Sequence, residues 1–150
     1  VCECGLHMLR GETNLANEDH AHSWAVDSAV MLVVDNLDRS VAFYRDGLGF
    51  TVHQHEPYIA LLTLGAMRLY LVTESPPTPD KPDMTLRNLN ATGRTNVNLV
   101  FRVRDCQAAY AELSQRGVNF FTPPHAPPWG GLRCFARDPN GYLIEIEQEV

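Results

Sequence analysis

The sequence predicts an α+β domain made of two successive β-α-β-β-β units, and three observations lead to this prediction. First, a buried strand followed by a capped helix occurs twice, after Val34 and after Val103, about seventy residues apart. Second, each helix is followed by short apolar runs of strand length. Third, a proline-rich loop over residues 74–94 separates the units, because closely spaced prolines prevent regular strand pairing.

The first unit begins with a continuous apolar run, residues 29–34, which is typical of a buried strand. Asp35 or Asn36 can cap the helix that follows, and Gly47 is placed to end it. Gly65 predicts a tight hairpin between two later strands. The predicted elements are strand 29–34, helix 37–47 and strands 50–55, 58–64 and 66–73.

The second unit repeats this order. Asp105 caps a predicted helix that runs to about Arg116, and Gly117 stops it. A second proline-rich loop covers residues 122–128, and the sequence Asp-Pro-Asn-Gly at 138–141 is a strong turn signal. The predicted strands are residues 96–103, 118–121, 132–136 and 142–148.

Length, charge and cysteine content limit the classes of function. A chain of 150 residues suits one domain, and a net charge of -6 argues against nucleic acid or an anionic membrane as a partner. We find no apolar run long enough to span a bilayer, so a cytoplasmic protein is expected. The four cysteines do not form a disulfide framework.

The first 26 residues differ from the rest of the sequence because their apolar residues show little periodicity. We expect residues 1–26 to be an N-terminal extension, either disordered or containing a short helix over residues 14–24. Residues 27–150 are expected to form the single domain.

Two segments resemble the signatures of a known family. Residues 40–50, SVAFYRDGLGF, resemble the SxxFYxxxLGF helix of the vicinal oxygen chelate superfamily, which includes glyoxalases, bleomycin resistance proteins and extradiol dioxygenases. Residues 135–146, FARDPNGYLIEI, resemble its F-x-x-D-P-x-G-x-x-I-E ending. The resemblance covers residues 28–148. It implies a curved, half-open mixed sheet formed by two βαβββ modules, a concave ligand cavity, and a homodimer that shares the cavity.

Metal-using members of that family carry four ligands on the concave face, usually His or Gln, Glu, His and Glu. Transferred by spacing from Ser40 and Asp105, these positions fall on Ala29, Tyr70, Asn98 and Glu145. Alanine has no donor atom, neutral tyrosine and asparagine are poor ligands, and one glutamate does not hold a catalytic metal. The resemblance therefore implies a site without metal, with Zn, Ni, Mn or Fe as the alternative cofactor.

Glu145 is the candidate catalytic residue, as a general base, or else an anchor for a cationic ligand; a relic carboxylate bonded to Tyr70 or Arg133 is the structural alternative. His53 and His55 are two residues apart and are predicted to share one strand face, where they can bind an acidic ligand or act as a base. An exposed strand face without a function is the other explanation.

An aromatic set completes the candidate ligand-binding residues. Aromatic rings beside one carboxylate suit a planar or cationic organic ligand, although core packing explains each ring equally well. Arg133 is expected on the same face as Glu145. The set comprises Tyr70, Phe101 (with Val100 as the alternative), Trp129 and Phe135.

The function predicted from these features is a small-molecule binding protein of the bleomycin resistance type. It would sequester an aromatic or cationic ligand between two protomers without the usual metal. The alternative is a metal-dependent lyase, isomerase or ring-cleaving dioxygenase. A regulatory dimer with an empty cavity is a third possibility, for which the sequence gives no direct sign.

Overall fold

The first unit folds as a four-stranded mixed sheet with a helix against one face. The computed structural model describes residues 24–25, 27–90 and 94–150. The strand order is β1-β4-β3-β2, with β1 parallel to β4 and the other pairs antiparallel. The elements are β1 (Val30–Val34), α1 (Leu37–Ala42), a π-helical segment (Phe43–Gly47), β2 (Thr51–Glu56), β3 (Ile59–Leu64) and β4 (Met67–Thr73).

The second unit forms a three-stranded sheet in the order β5-β7-β6, again with one parallel pair, β5 and β7. Its elements are β5 (Asn98–Arg102), α2 (Cys106–Gln115), β6 (Leu132–Arg137) and β7 (Leu143–Gln148). The α+β class and the two related units are therefore confirmed. Among the described residues, no helix is long and apolar enough to cross a membrane.

The predicted strand over residues 118–121 is wrong as a regular strand. Phe120 makes only an isolated bridge with Ala136, and the next contact with β6 is the bridge of His125 with Arg133. Pro123 and Pro124 lie between these two bridges and have no N–H to donate to a ladder. The segment therefore runs beside β6 without extending the sheet.

The predicted helix caps are confirmed, and the first helix ends differently from the prediction. The side chain of Asn36 accepts a hydrogen bond from the N–H of Arg39 at 2.9 Å, and Asp105 caps α2 in the same way. The predicted helix 37–47 is α-helical only to Ala42 and then widens into the π-helical segment. Gly49, at φ +82°, reverses the chain beyond it.

Each helix packs against one face of its sheet, and alternate strand residues point toward it. Leu69 and Leu71 of β4 are buried on the helix-facing side, as are Ile144 and Ile146 of β7. Tyr70 and Glu145 lie between these pairs and so belong to the opposite face. We call this second face of each sheet the open face.

Side chains from residues 40–50 and 135–146, the two segments that resemble the family signatures, join the two units. Tyr44 donates a hydrogen bond to Asp138 Oδ2 at 2.8 Å, and Asn140 Nδ2 donates to Ser40 Oγ at 2.8 Å. The hydroxyl of Tyr142 bonds both the N–H and the C=O of Val33. We call Ser40, Tyr44, Asp138, Asn140 and Tyr142 the junction cluster. The predicted turn at 138–141 is confirmed, with Gly141 N–H donating to Asp138 O.

The junction cluster is buried, and its ionisable groups are shifted accordingly. Asp138 also accepts hydrogen bonds from the N–H groups of Asn140 and Tyr142. Burial nevertheless raises the pKa of Asp138, because desolvation disfavours the charged form. Burial and the adjacent Asp138 carboxylate hold the pKa of Tyr44 well above its usual value.

Candidate functional site

Five of the predicted site residues come together on the open face of the second sheet. Glu145 lies on β7 directly opposite Val100 of β5 and Phe135 of β6. Arg133 shares the face of Phe135 by strand alternation, and Asn98 starts β5. Trp129, from the loop before β6, completes the group. We call Asn98, Trp129, Arg133, Phe135 and Glu145 the Arg133 cluster.

Glu145 is held by two partners within this cluster. Asn98 Nδ2 donates a hydrogen bond to Glu145 Oε2 at 2.7 Å. Arg133 Nη1 lies 3.5 Å from Glu145 Oε1, an ion pair that is too long for a good hydrogen bond. Both carboxylate oxygens are therefore engaged within the protein. Of the two alternatives for the structural role of Glu145, the geometry favours Arg133 over Tyr70 as the partner.

The guanidinium of Arg133 rests against two aromatic rings. Its central carbon lies 4.8 Å from the ring centre of Trp129 and 5.1 Å from that of Phe135. Such cation–π contacts hold a guanidinium in place without using its N–H groups. Within the described part of the chain, the Arg133 side chain makes no hydrogen bond that meets geometric criteria. Apart from the ion pair of Nη1 with Glu145, its N–H groups have no acceptor among the described residues.

Trp129 reaches the cluster because two glycines follow it. Gly130 and Gly131 have φ of +96° and +73°, in the left-handed region. A Cβ at Gly131 would collide with the carbonyl oxygen of Gln148 at the end of β7. Only glycine therefore lets the loop pass this close to the sheet and bring the indole over Arg133.

A groove opens beside the Arg133 cluster. It has a volume of about 490 Å³, and the proline-rich segment forms its outer wall. Phe135 and the two prolines give it an apolar surface, and Arg133 supplies a charge. Its lining residues are Thr122, Pro123, Pro124, His125, Arg133 and Phe135.

A second arginine lies on the same face. Arg137 follows Arg133 and Phe135 by strand alternation, and its guanidinium carbon is 5.0 Å from the ring centre of Phe121. Within the described residues, Arg137 has no carboxylate within ion-pair distance. Sequence reasoning missed Arg137 and the wall of the groove. The recurrence of Arg133, Phe135 and Arg137 every second residue was the available signal.

The transferred metal-ligand positions do not form a metal site. Asn98 and Glu145 meet, whereas Ala29 has no donor atom and Tyr70 lies on β4 of the other sheet, paired with Met31 and Leu61. The described residues contain no group of three or more His, Cys, Asp or Glu side chains suited to a metal. The donor set does not fit a divalent cation, and a guanidinium already stands beside its single carboxylate.

The prediction that His53 and His55 share a strand face is wrong. The pairing of β2 with β3 shifts register between Val52 and Gln54, which leaves His53 as an extra residue. This bulge reverses the alternation. His53 Nε2 lies 2.8 Å from Thr63 Oγ1, whereas His55 Nε2 lies 3.0 Å from Asp38 Oδ1 of α1. His53 therefore faces the open side and His55 the helix side.

Phe101 also lies away from the Arg133 cluster, which corrects the expectation that it lines the same face. Its ring packs edge-on against Phe50 at a centroid distance of 6.0 Å. It lines a hollow with Ala109 and Leu113 of α2, on the helix-facing side of the sheet. The alternation of β5 explains this, because Val100 takes the open face. Val100, which the sequence offered in place of Phe101, is the β5 residue directly opposite Glu145.

The family model described as the Glyoxalase/Bleomycin resistance protein/Dioxygenase superfamily matches residues 27–146. The Uncharacterized protein YraH of Bacillus subtilis is 28% identical over 120 residues, which cover 78% of this chain and 93% of YraH.

Solved structures share the fold. A glyoxalase/bleomycin resistance protein/dioxygenase from Nocardioides is 25% identical with a TM-score of 0.69, and 85% of each chain is covered. The structure of a lactoylglutathione lyase from Agrobacterium tumefaciens is 23% identical with a TM-score of 0.61, covering 85% of this chain and 95% of that one. At this identity the second likeness shows the fold alone.

Proposed function

Because this chain belongs to the Glyoxalase/Bleomycin resistance protein/Dioxygenase superfamily, we propose that it binds a small organic molecule with an aromatic group and does so without a divalent metal. The binding surface is the open face of the second sheet, in the groove beside the Arg133 cluster. One observation carries this proposal: both oxygens of Glu145 are engaged by Asn98 and Arg133. The activity is that of a binding protein of the bleomycin resistance type.

Electrostatics supports binding without metal. A cation bound to Glu145 would sit within a few ångströms of the Arg133 guanidinium, and like charges at such distances repel strongly where water is partly excluded. It would also have to displace the amide of Asn98, which presents N–H groups and not an oxygen to the carboxylate. The internal cation thus neutralises Glu145 in place of an external one.

The surface chemistry supports an aromatic ligand. The groove is bounded by the ring of Phe135 and by Pro123 and Pro124, and the ring of Trp129 lies 4.8 Å from the Arg133 guanidinium carbon. Apolar walls with a few fixed polar groups are the usual composition of small-molecule sites. A planar ring can stack on these surfaces in the same way as the guanidinium does.

Metal analysis tests the proposal directly. Protein purified without chelator should contain well below one equivalent of Zn, Ni, Mn or Fe per chain by plasma mass spectrometry. Adding each metal should leave the thermal unfolding midpoint unchanged, because a ligand that binds only the folded state would raise it. Near one equivalent of tightly bound metal per chain would contradict the proposal that the site works without a divalent metal.

The proposal includes a second copy of the chain that completes the cavity. Met31 is 50% exposed and Val100 is 41% exposed, and both lie on the open faces of the first strands of their units. Apolar side chains at the same place in both units suit a shared interface. Light scattering after gel filtration should give about twice the chain mass of 16.8 kDa. A monomer at high micromolar concentration would exclude the shared cavity.

A metal-dependent lyase, isomerase or dioxygenase remains the second candidate. Glu145 stands on the open face, and the β2 bulge turns His53 toward the open face of the first sheet. Metal binding that disappears in both Glu145→Gln and His53→Ala would favour the enzyme. Retained binding in His53→Ala would remove the observation that supports it.

A further inference from the structure

Among the described residues, the groove is lined by the guanidinium of Arg133 and by no carboxylate. The Arg133 side chain is 31% exposed, whereas the Glu145 side chain behind it is 11% exposed. Asn98 donates a hydrogen bond to one Glu145 oxygen, and the 3.5 Å ion pair to the other oxygen engages only Nη1 of Arg133, so the remaining Arg133 N–H groups lack an acceptor within the described residues. An accessible donor without an acceptor is the feature that a ligand can satisfy.

We propose that the ligand is a small aromatic acid whose carboxylate binds the Arg133 guanidinium while its ring lies in the groove beside Phe135. This inference rests on the proposed binding function and names its ligand class. It replaces the cationic ligand expected from Glu145 alone. A cationic ligand would have to displace Arg133 from Glu145 and then remain beside a second positive charge.

The shape of the site matches this class. A guanidinium is planar and binds a carboxylate through two parallel N–H···O bonds, which gives both strength and a fixed orientation. The rings of Trp129 and Phe135 hold the guanidinium before the ligand arrives, so little side-chain freedom is lost on binding. The ligand ring then extends toward Pro123 and Pro124, in a groove of about 490 Å³.

A second arginine on this face lacks an acidic partner in the described part of the chain. Arg137 lies two residues further along β6, over Phe121, and has no carboxylate within ion-pair distance in the described residues. Arg102 is on β5 and is paired with Glu147 and Glu149. Arg102, Arg133 and Arg137 are matched in number by Glu145, Glu147 and Glu149, so the positive charge is local and lies at the groove-lining Arg133 and at Arg137.

The chain contains a reporter for this site. Its two tryptophans are Trp24, which is fully exposed in the described structure, and Trp129 in the cluster. In a Trp24→Phe background, Trp129 is the single tryptophan. The probes are benzoate, the uncharged benzamide and the cationic benzamidine, titrated at constant ionic strength. Saturation-transfer NMR on each probe gives a second readout that does not depend on the indole.

Benzoate should give a saturable change in Trp129 fluorescence and bind at least about tenfold more tightly than benzamide or benzamidine, since a charged hydrogen bond contributes about 1.5–3 kcal/mol. Arg133→Gln should remove this preference, and Arg133→Lys should restore only part of it because an ammonium is not bidentate. Arg104→Gln, at an exposed arginine outside the face, is the matched control and should bind benzoate normally.

Each other outcome overturns the inference in a recognisable way. Equal binding of benzoate and benzamide would show an aromatic site without acid recognition and leave the proposed function standing. Tighter binding of benzamidine would assign the site to cations through Glu145. Failure of all three probes in protein whose circular dichroism and unfolding midpoint are normal would overturn both the acid recognition and the aromatic binding.

Discussion

The junction cluster and the Arg133 cluster are both polar groups assembled from distant parts of the chain, yet their hydrogen bonding differs. In the junction cluster, Asp138 accepts three hydrogen bonds, and the side chain of Asn140 donates to Ser40 and accepts from the Asp35 N–H of the first unit. In the Arg133 cluster, the guanidinium is partly exposed and rests on rings without a good acceptor among the described residues. The hydrogen bonds of the junction cluster are formed entirely within the protein, whereas the Arg133 guanidinium keeps N–H groups that a ligand can bind.

This difference separates a structural role from a binding role. Buried polar groups must find partners during folding, because each one left unpaired costs about 1–3 kcal/mol. The family-like residues of the junction cluster meet that requirement and hold the two units together. Donors that stay open at the surface contribute little to folding and are available to a ligand. Substitutions in the two clusters should therefore affect different properties.

The largest loss of stability is expected when Asp138 is substituted. Asp138→Ala leaves the Tyr44 hydroxyl and two buried N–H groups without an acceptor, and should lower the free energy of unfolding by about 3 kcal/mol. Asp138→Asn keeps an oxygen acceptor and should cost less. Urea titration followed by circular dichroism measures both, with the exposed Asp83→Ala as control. A loss below about 1 kcal/mol in Asp138→Ala would contradict the structural role.

A smaller effect on the free energy of unfolding is expected from a change in pH. Burial raises the folded-state pKa of Asp138, so the folded protein binds this proton more tightly than the unfolded chain does. The group therefore adds stability as the pH falls from that raised value toward its ordinary value of 3.8, and the gain is lost as the pH rises again. The difference between the wild type and Asp138→Asn, measured by urea titration across this range, should show that slope. An unchanged difference would contradict it.

The smallest effect on stability is expected at Arg133. Arg133→Gln removes two ring contacts and a partly exposed ion pair, and glutamine can still donate to Glu145. The free energy of unfolding should change by about 1 kcal/mol, less than in Asp138→Ala, because Asn98 and the new glutamine still donate to Glu145. The thermal midpoint and urea titration report this. A loss as large as that of Asp138→Ala would make the Arg133 cluster structural, and the contrast between the clusters would disappear.

The sequence predicts local turns and helix caps better than it predicts how closely a loop approaches the sheet, and the reason is physical. Helix caps at Asn36 and Asp105 and the Asp-Pro-Asn-Gly turn depend on a few adjacent residues, so their outcome can be read locally. The approach of Trp129 to Arg133 depends on how closely a glycine loop passes β7. That distance is set by tertiary packing, and the sequence indicates only that glycine permits it.

Strand alternation is reliable only while the register is regular. It placed Glu145, Arg133 and Phe135 on one face correctly, because β6 and β7 pair without a shift. The sequence left Phe101 and Val100 as alternatives, and the pairing of β5 with β7 places Val100 on the open face. Alternation failed for His53 and His55 because one extra residue lies in β2. The residue types at positions 51–56 give no indication that the strand contains an extra residue.

The bulge in β2 has an evolutionary consequence. A substitution changes the chemistry of one position, whereas a single inserted residue exchanges the faces of every position on one side of it. Here one bulged residue gives two identical imidazoles different neighbours, Thr63 for His53 and Asp38 for His55. Length variation in this strand is thus a route by which relatives can acquire or lose a histidine on the open face without mutating any histidine codon.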